Sequence, residues 1–115
     1  MSKIELWGSH SPRTMRVHWV LSEFNVDYKA HTMHPRTPKT LAKDFLSLNP
    51  KGKIPVFRHN DLILTESAAI INYISQEFPK PNNFYVPKDN MSKAKINEWL
   101  SFACMELEKY FSKDI

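Results

Sequence analysis

Residues 53–70, KIPVFRHNDLILTESAAI, carry the strongest secondary-structure signals in the chain. Two short apolar runs flank His-Asn-Asp at 59–61, and the second run leads directly into Glu66-Ser67 and a helical pattern. This order predicts a β-hairpin followed by the N-terminus of a helix. Pro55 is compatible with a strand only at its edge or its first residue. A strand edge beside a helix N-terminus suits a small extended peptide that carries a carboxylate.

The chain before the hairpin predicts a strand–helix–strand unit and a further short helix. Ser11 is a good N-cap residue and Pro12 a good first residue for the first helix. The predicted elements are a strand at 3–8, helices at 12–24, 40–48 and 67–78, a strand at 28–33, and the hairpin. Parallel strands joined by a helix imply a right-handed crossover, whereas the hairpin adds antiparallel strands. The predicted fold class is therefore α/β, a thioredoxin-like βαβ-α-ββα domain over residues 1–79.

A linker and a second, all-helical segment are expected after this domain. Residues 79–90 contain three prolines and three asparagines, so we expect a linker at 80–90. A helix is predicted at 91–115 because apolar residues recur there at a spacing of three or four. These residues are Ile96, Trp99, Leu100, Ala103, Leu107, Tyr110 and Phe111. Such a stripe needs a covering partner, so we expect the first helix of a truncated all-α domain or a chain that depends on another chain.

Composition excludes several classes of protein. The chain has 115 residues with 42% hydrophobic and 24% charged residues, which is typical of one globular domain. No apolar run approaches the ~18 residues of a membrane span, so no membrane association is expected. The single cysteine, Cys104, excludes an internal disulfide and a cysteine-based zinc site. The histidines lack metal-ligand spacing, so no metal is expected.

The positive charge is concentrated in the middle of the chain. Residues 29–60 carry seven basic side chains against one acid, Asp44, and the whole chain has a net charge of +4. This pattern fits either a solvated basic face or a surface that attracts an anionic ligand. The basic residues are not interleaved with aromatic residues, so nucleic acid is not expected as a partner.

The hairpin motif resembles the glutathione-binding half of the soluble glutathione transferases. Pro55 and Glu66 are eleven residues apart, NPKGKIP at 49–55 precedes the hairpin and ESAAI at 66–70 follows it. The resemblance implies a cis bond before Pro55, with the backbone of Ile54 turned towards the cysteinyl part of glutathione. It also implies that Glu66 and Ser67 hold the γ-glutamyl end and that Lys53 contacts the glycyl end.

Ser11 is the leading catalytic candidate, although a plain N-cap role also explains it. It lies six residues before the apolar Val17, which resembles the serine-type (theta-, delta- and phi-like) transferases. That resemblance implies that the Ser11 hydroxyl donates a hydrogen bond to the glutathione sulfur. A thiolate is the reactive form of a thiol, and a helix N-terminus with a hydroxyl donor stabilises it. Ser9 and Thr14 are rival hydroxyls.

The resemblance implies a serine-type glutathione transferase that conjugates glutathione, its co-substrate, to an electrophilic small molecule. A cytoplasmic location and a homodimer are expected, and the chain alone is expected to be weakly active or inactive. Two alternatives stay open. One is a glutathione-dependent isomerase or peroxidase on the same scaffold, and the other is a non-catalytic interaction module, since fold alone does not decide function.

Overall fold

The structure is a computed structural model that describes residues 3–82 and 87–103. The chain divides into two compact units, residues 1–81 and residues 82–115. The first unit contains β1 (Ile4–Trp7), α1 (Pro12–Glu23), β2 (Lys29–His31), a 3-10 helix (Pro38–Leu41), α2 (Lys43–Leu48), β3 (Val56–His59), β4 (Leu62–Leu64) and α3 (Ser67–Glu77). In the second unit the described residues include α4 (Asn90–Phe102).

The strands form a four-stranded mixed sheet in the order β2-β1-β3-β4. β1 and β2 pair in parallel and are connected along the chain by α1. β3 is antiparallel to both β1 and β4. The register places Trp7 opposite Val56 and Phe57 opposite Leu64. The predicted crossover unit, hairpin and thioredoxin-like α/β class are thereby confirmed.

Neighbouring residues on the strands point to opposite faces of the sheet, and each face has its own apolar cluster. Leu6 and Phe57 are fully buried on the face covered by α1 and α3. That cluster is completed by Val17, Leu21, Phe24, Ile70 and Ile74. On the other face, Val56 packs with Phe45 of α2 and with Ile54. The sheet is therefore held between helices, and its ends are left for the connecting loops.

Two element boundaries differ from the sequence prediction. The helix predicted at 40–48 is two pieces, because Ala42 is extended (φ −69°, ψ 147°) between the 3-10 helix and α2. Thr40 donates its hydroxyl proton to the carbonyl of Thr37 at 2.7 Å, which closes the 3-10 helix. The strand predicted at 28–33 is shorter, since the N–H of Met33 bonds the hydroxyl of Ser9 at 3.1 Å rather than a strand partner.

The α4 helix begins at a capping carboxylate. Asp89 accepts a hydrogen bond from the N–H of Ser92 at 2.8 Å, and this bond lowers the pKa of the Asp89 carboxyl. Ile96 and Trp99 of the predicted apolar stripe are exposed. Residues 104–115 of that stripe, Cys104, and residues 83–86 of the predicted linker lie outside the described residues.

Candidate functional site

One end of the sheet brings together the loops that carry the predicted site residues. Trp7 at the end of β1 is paired with Val56 at the start of β3, so the loop from Gly8 to Ser11 lies beside Ile54 and Pro55. Phe57 is paired with Leu64 at the end of β4. In an antiparallel ladder the residue numbers of the two strands run in opposite directions, so continuing this register by two residues brings Glu66 level with Pro55.

Ser11 lies at the N-terminus of α1, and its hydroxyl makes two hydrogen bonds with Thr14. Its backbone is extended (φ −137°, ψ 148°), and Oγ accepts a hydrogen bond from the N–H of Thr14 at 3.2 Å. Oγ also lies 2.8 Å from Oγ1 of Thr14, which is fully buried. Ser11 itself is half-buried. The N-cap role is therefore present in the structure, and it leaves the hydroxyl at a positively polarised helix end.

The two rival hydroxyls occupy different positions. Ser9 is bonded to Met33 twice, because its N–H donates to the Met33 carbonyl at 2.9 Å and its hydroxyl accepts the Met33 N–H at 3.1 Å. Ser9 therefore connects the β1–α1 loop to the chain after β2. Thr14 has no exposed surface, so its hydroxyl reaches a ligand only through Ser11. Of the three hydroxyls, that of Ser11 is the best placed for a ligand at the helix end.

The segment before β3 is shaped by a buried asparagine. Asn49 donates from Nδ2 to the carbonyl of Lys53 at 2.7 Å, and its Oδ1 accepts the N–H of Lys51 at 3.1 Å. Asn49 is 1% exposed, so both ends of its amide are used inside the protein. The bond between Ile54 and Pro55 is cis, and the Ile54 side chain is buried. Lys53 is exposed, so its ammonium is accessible from solvent.

Glu66 and Ser67 form the start of α3. Glu66 is the N-cap residue by its backbone (φ −122°, ψ 128°), but its side chain makes no capping bond. Instead its carboxylate forms an ion pair with the ammonium of Lys51, and the Glu66 side chain is 71% exposed. Ser67 is buried. The first N–H groups of a helix lack partners within the helix, so this end of α3 can bind a carboxylate.

Two residues of this site, Asn49 and Lys51, were not identified from the sequence, and the contact between Ser11 and Thr14 was not predicted. Asn49 and Lys51 lie in the NPKG segment, which the sequence analysis used only as part of a motif. The spacing of three between Ser11 and Thr14 is a signal that was available, because a polar side chain three residues after an N-cap lies next to it. The Lys51–Glu66 pair joins residues fifteen apart in sequence and carried no local signal.

Two further properties concern the part of the chain that the structure describes. Among residues 3–82 and 87–103, no group of three or more histidine, cysteine, aspartate or glutamate residues is arranged to hold a metal ion. Within the same ranges, no helix is long and apolar enough to span a membrane.

A mixed sheet with helices on both faces defines a thioredoxin-like domain of the kind found in glutathione transferases. The N-termini of α1 and α3 lie at one end of this sheet. Residues 2–76 match the family model for the N-terminal domain of glutathione S-transferases. The chain belongs to the glutathione S-transferase N-terminal domain family.

Individual relatives agree with this assignment. The human glutathione S-transferase theta-2 is 39% identical over 61 residues, which are 53% of this chain and 25% of that protein. A human theta class transferase, solved in complex with the glutathione conjugate of 1-menaphthyl sulfate, has a TM-score of 0.78 and 28% identity over 88% of this chain and 41% of its own. The theta class transferase from Xanthomonas axonopodis pv. citri, solved with glutathione bound, has a TM-score of 0.81 and 22% identity over 92% of this chain and 50% of its own. This chain spans half or less of the length of these three relatives.

Proposed function

We propose that this chain is the glutathione-binding part of a serine-type glutathione transferase. The observation that carries the proposal is the position of the Ser11 hydroxyl at the N-terminus of α1, at the same end of the sheet as Ile54 and the N-terminus of α3. An extended tripeptide needs a strand edge for its backbone and a cationic or N–H-rich end for its carboxylate. Here Ile54 lies just before β3, beyond the paired residues of the ladder, and the N-terminus of α3 supplies N–H groups, both beside a hydroxyl suited to a thiolate.

Each predicted residue has a distinct task in this proposal. The backbone of Ile54 bonds the cysteinyl part of glutathione. The first N–H groups of α3 and the Ser67 hydroxyl bind the γ-glutamyl carboxylate, while Glu66 faces the γ-glutamyl ammonium. Lys53 contacts the glycyl carboxylate. The exposed Glu66 carboxylate supports this assignment, since it is already paired with a cation, Lys51, that a ligand ammonium could replace.

Ser11 supplies the chemical step. Its hydroxyl donates a hydrogen bond to the glutathione sulfur and favours the thiolate over the thiol, so the thiol proton is released to solvent at neutral pH. Lowering a thiol pKa by two units requires about 2.7 kcal/mol of preferential stabilisation. A charge-assisted hydrogen bond together with a helix N-terminus is of this size. The thiolate then attacks an electrophilic carbon, forming a sulfur–carbon bond as the leaving group departs with its electron pair.

The finer features of the proposal concern location and assembly. We propose that the protein works in the cytoplasm as a homodimer, as the resemblance of its motifs to the soluble glutathione transferases implies. The basic residues between Lys29 and Asn60 support the binding of an anionic ligand. The second substrate in this proposal is an electrophilic small molecule.

Two assays separate this proposal from the alternatives. Calorimetric titration with glutathione should show binding to the 115-residue chain, whereas a non-catalytic interaction module should show none. A panel of conjugation, isomerisation and peroxide-reduction assays then distinguishes a transferase from the other enzymes on this scaffold. Absence of glutathione binding by the folded protein would contradict the proposal.

A further inference from the structure

The loop that carries Ser11 is fixed on one side by β2 and the residues after it. The N–H of Gly8 donates to the carbonyl of His31 at 3.0 Å, and the N–H of Ser9 donates to the carbonyl of Met33 at 2.9 Å. Only His10 separates these bonded residues from Ser11, and His10 has a positive φ of 58°. The position of Ser11 therefore depends directly on the position of Gly8 and Ser9.

The same loop is fixed on its other side by His18 of α1. Nε2 of His18 lies 3.1 Å from the carbonyl oxygen of Gly8, and Nδ1 lies 2.6 Å from the hydroxyl of Tyr28. A carbonyl oxygen can only accept, so Nε2 of His18 carries the proton that it donates to Gly8. In the neutral ring Nδ1 then accepts the Tyr28 hydroxyl proton. The Gly8 carbonyl therefore fixes the tautomer of the neutral ring, and the Tyr28 hydroxyl satisfies the other ring nitrogen.

Gly8 packs closely against Thr14 and Ile54. An added Cβ at Gly8 would lie 2.9 Å from Oγ1 of Thr14 and 3.0 Å from Cβ of Ile54. A displacement of the Gly8 backbone would consequently move against Thr14, the hydrogen-bond partner of Ser11, and against Ile54. At this packing density such a movement has no free space to absorb it.

We propose that His18 is a positioning residue for the Ser11 hydroxyl, acting through the Gly8 carbonyl, with its ring anchored at Nδ1 by the Tyr28 hydroxyl. The proposal rests on the proposed function, because it assigns Ser11 to the glutathione sulfur. His18 lies in the middle of α1, whose N-cap is Ser11, so the bond to Gly8 ties this helix to the loop that precedes it. Hydrogen bonds on opposite sides of the loop, from Gly8 and Ser9 to the chain at and after β2 and from His18 to Gly8, thereby fix the position of Ser11.

The test compares three variants in the full 115-residue chain. His18→Gln keeps an N–H donor near the position of Nε2, whereas His18→Leu has a similar volume and no donor. His59→Leu is the matched control, because His59 also bonds a tyrosine hydroxyl, that of Tyr73 at 2.7 Å. His59 is paired with Ile4 and Leu62, at the end of the sheet remote from the Ser11 loop.

The first readout is the pKa of the bound glutathione thiol, measured from thiolate absorbance against pH. His18→Leu should raise this pKa and reduce the thiolate present at neutral pH on the order of tenfold, as expected for a misplaced catalytic group. His18→Gln should restore most of the loss, and His59→Leu should leave the thiol pKa unchanged even where it lowers stability. Equal effects of His18→Gln and His18→Leu, or an equal shift in His59→Leu, would overturn the proposal.

A second readout does not require glutathione. The backbone amide resonances of Ser9 and Ser11 in the free protein should shift in His18→Leu, return towards their original values in His18→Gln and stay in place in His59→Leu. Unmoved resonances in His18→Leu would overturn the positioning role. Failure of the unmodified protein to bind glutathione would instead contradict the proposed function, while these amide shifts would still decide whether His18 positions the loop.

Discussion

The hydroxyl of Ser11 lies 2.8 Å from the hydroxyl of Thr14 and accepts the Thr14 N–H at 3.2 Å. A serine hydroxyl has one proton and two lone pairs. One lone pair of Ser11 accepts the Thr14 N–H, and in the free protein the Ser11 hydroxyl donates its proton to Oγ1 of Thr14. When a thiolate is present, the Ser11 proton can turn to the sulfur while the Thr14 hydroxyl donates to the second lone pair. Capping the helix and activating a thiol are therefore compatible in one side chain.

Replacement of Ser11 by alanine tests this arrangement. Ser11→Ala should raise the pKa of the bound glutathione thiol and lower turnover at neutral pH, because the thiolate loses a hydrogen-bond donor. Loss of the cap should also cost about 1 kcal/mol of folding stability. The measurements are thiolate absorbance against pH and denaturant unfolding.

Ser9→Ala is the control for the Ser11 variant. It removes the bond between the Ser9 hydroxyl and the Met33 N–H, so it should lower stability by about 0.5–1.5 kcal/mol. Its effect on the bound thiol pKa should be much smaller than that of Ser11→Ala. The reverse order of effects would transfer the catalytic role to Ser9.

A second prediction concerns the carboxylate of Glu66. Glu66→Ala should weaken glutathione binding by about 1.5–3 kcal/mol, the range for a hydrogen bond to a charged group. Lys51→Met is the matched variant, because it breaks the same ion pair and leaves the carboxylate in place. An exposed pair of this kind is worth about 0–1 kcal/mol, so Lys51→Met should change affinity little. Similar losses in both variants would show that the ion pair, and not a ligand contact of Glu66, is responsible.

A third prediction concerns the glycine in the β1–α1 loop. Gly8→Ala should destabilise the protein by about 1–3 kcal/mol, as for an overpacked core position. The added methyl would meet Thr14 at 2.9 Å, and the backbone φ of +135° is unfavourable for alanine. Gly52→Ala gives the comparison, since its φ of +65° is in the left-handed region that other residues occasionally adopt. Unfolding experiments should find a larger loss for Gly8→Ala, and an equal or smaller loss would contradict the described packing.

A fourth prediction follows from the burial of Tyr28. Burial raises the pKa of the Tyr28 phenol above its usual 10.0. The unfolded chain therefore ionises first as pH rises, so the stability associated with Tyr28 is complete below pH 10.0 and is lost as pH rises through the folded pKa. In Tyr28→Phe, which has no phenol to ionise at this position, the free energy of unfolding should therefore fall less as the pH rises above 10.0. Identical alkaline profiles for the two proteins would contradict a partly buried, hydrogen-bonded Tyr28.

The sequence predicted the fold well because its signals were local. Ser11-Pro12 marked the start of α1, and the alternation around His59-Asn60-Asp61 marked the hairpin. The break at Ala42 was missed, because an extended residue between two helical turns depends on hydrogen bonds such as Thr40 to Thr37 and not on apolar spacing.

Contacts between distant residues were beyond sequence reasoning. The bonds of His18 to Gly8 and Tyr28 join residues ten apart on different elements. The ion pair between Lys51 and Glu66 and the hydrogen bond from Asn49 to the Lys53 carbonyl likewise depend on how the loops fold back at one end of the sheet. Polar contacts of this kind form only when the fold brings distant segments together. Apolar periodicity, in contrast, is visible in the sequence itself.

The most direct test of the glutathione site is a titration of the isotope-labelled chain with glutathione, followed by backbone amide resonances. If glutathione binds at the proposed site, concentration-dependent shifts should occur at Ser11, Ile54 and Ser67, which lie at one end of the sheet. Residues at the opposite end, such as His59, should stay unchanged. Shifts confined to other surfaces, or none at saturating glutathione, would contradict the assignment of this site.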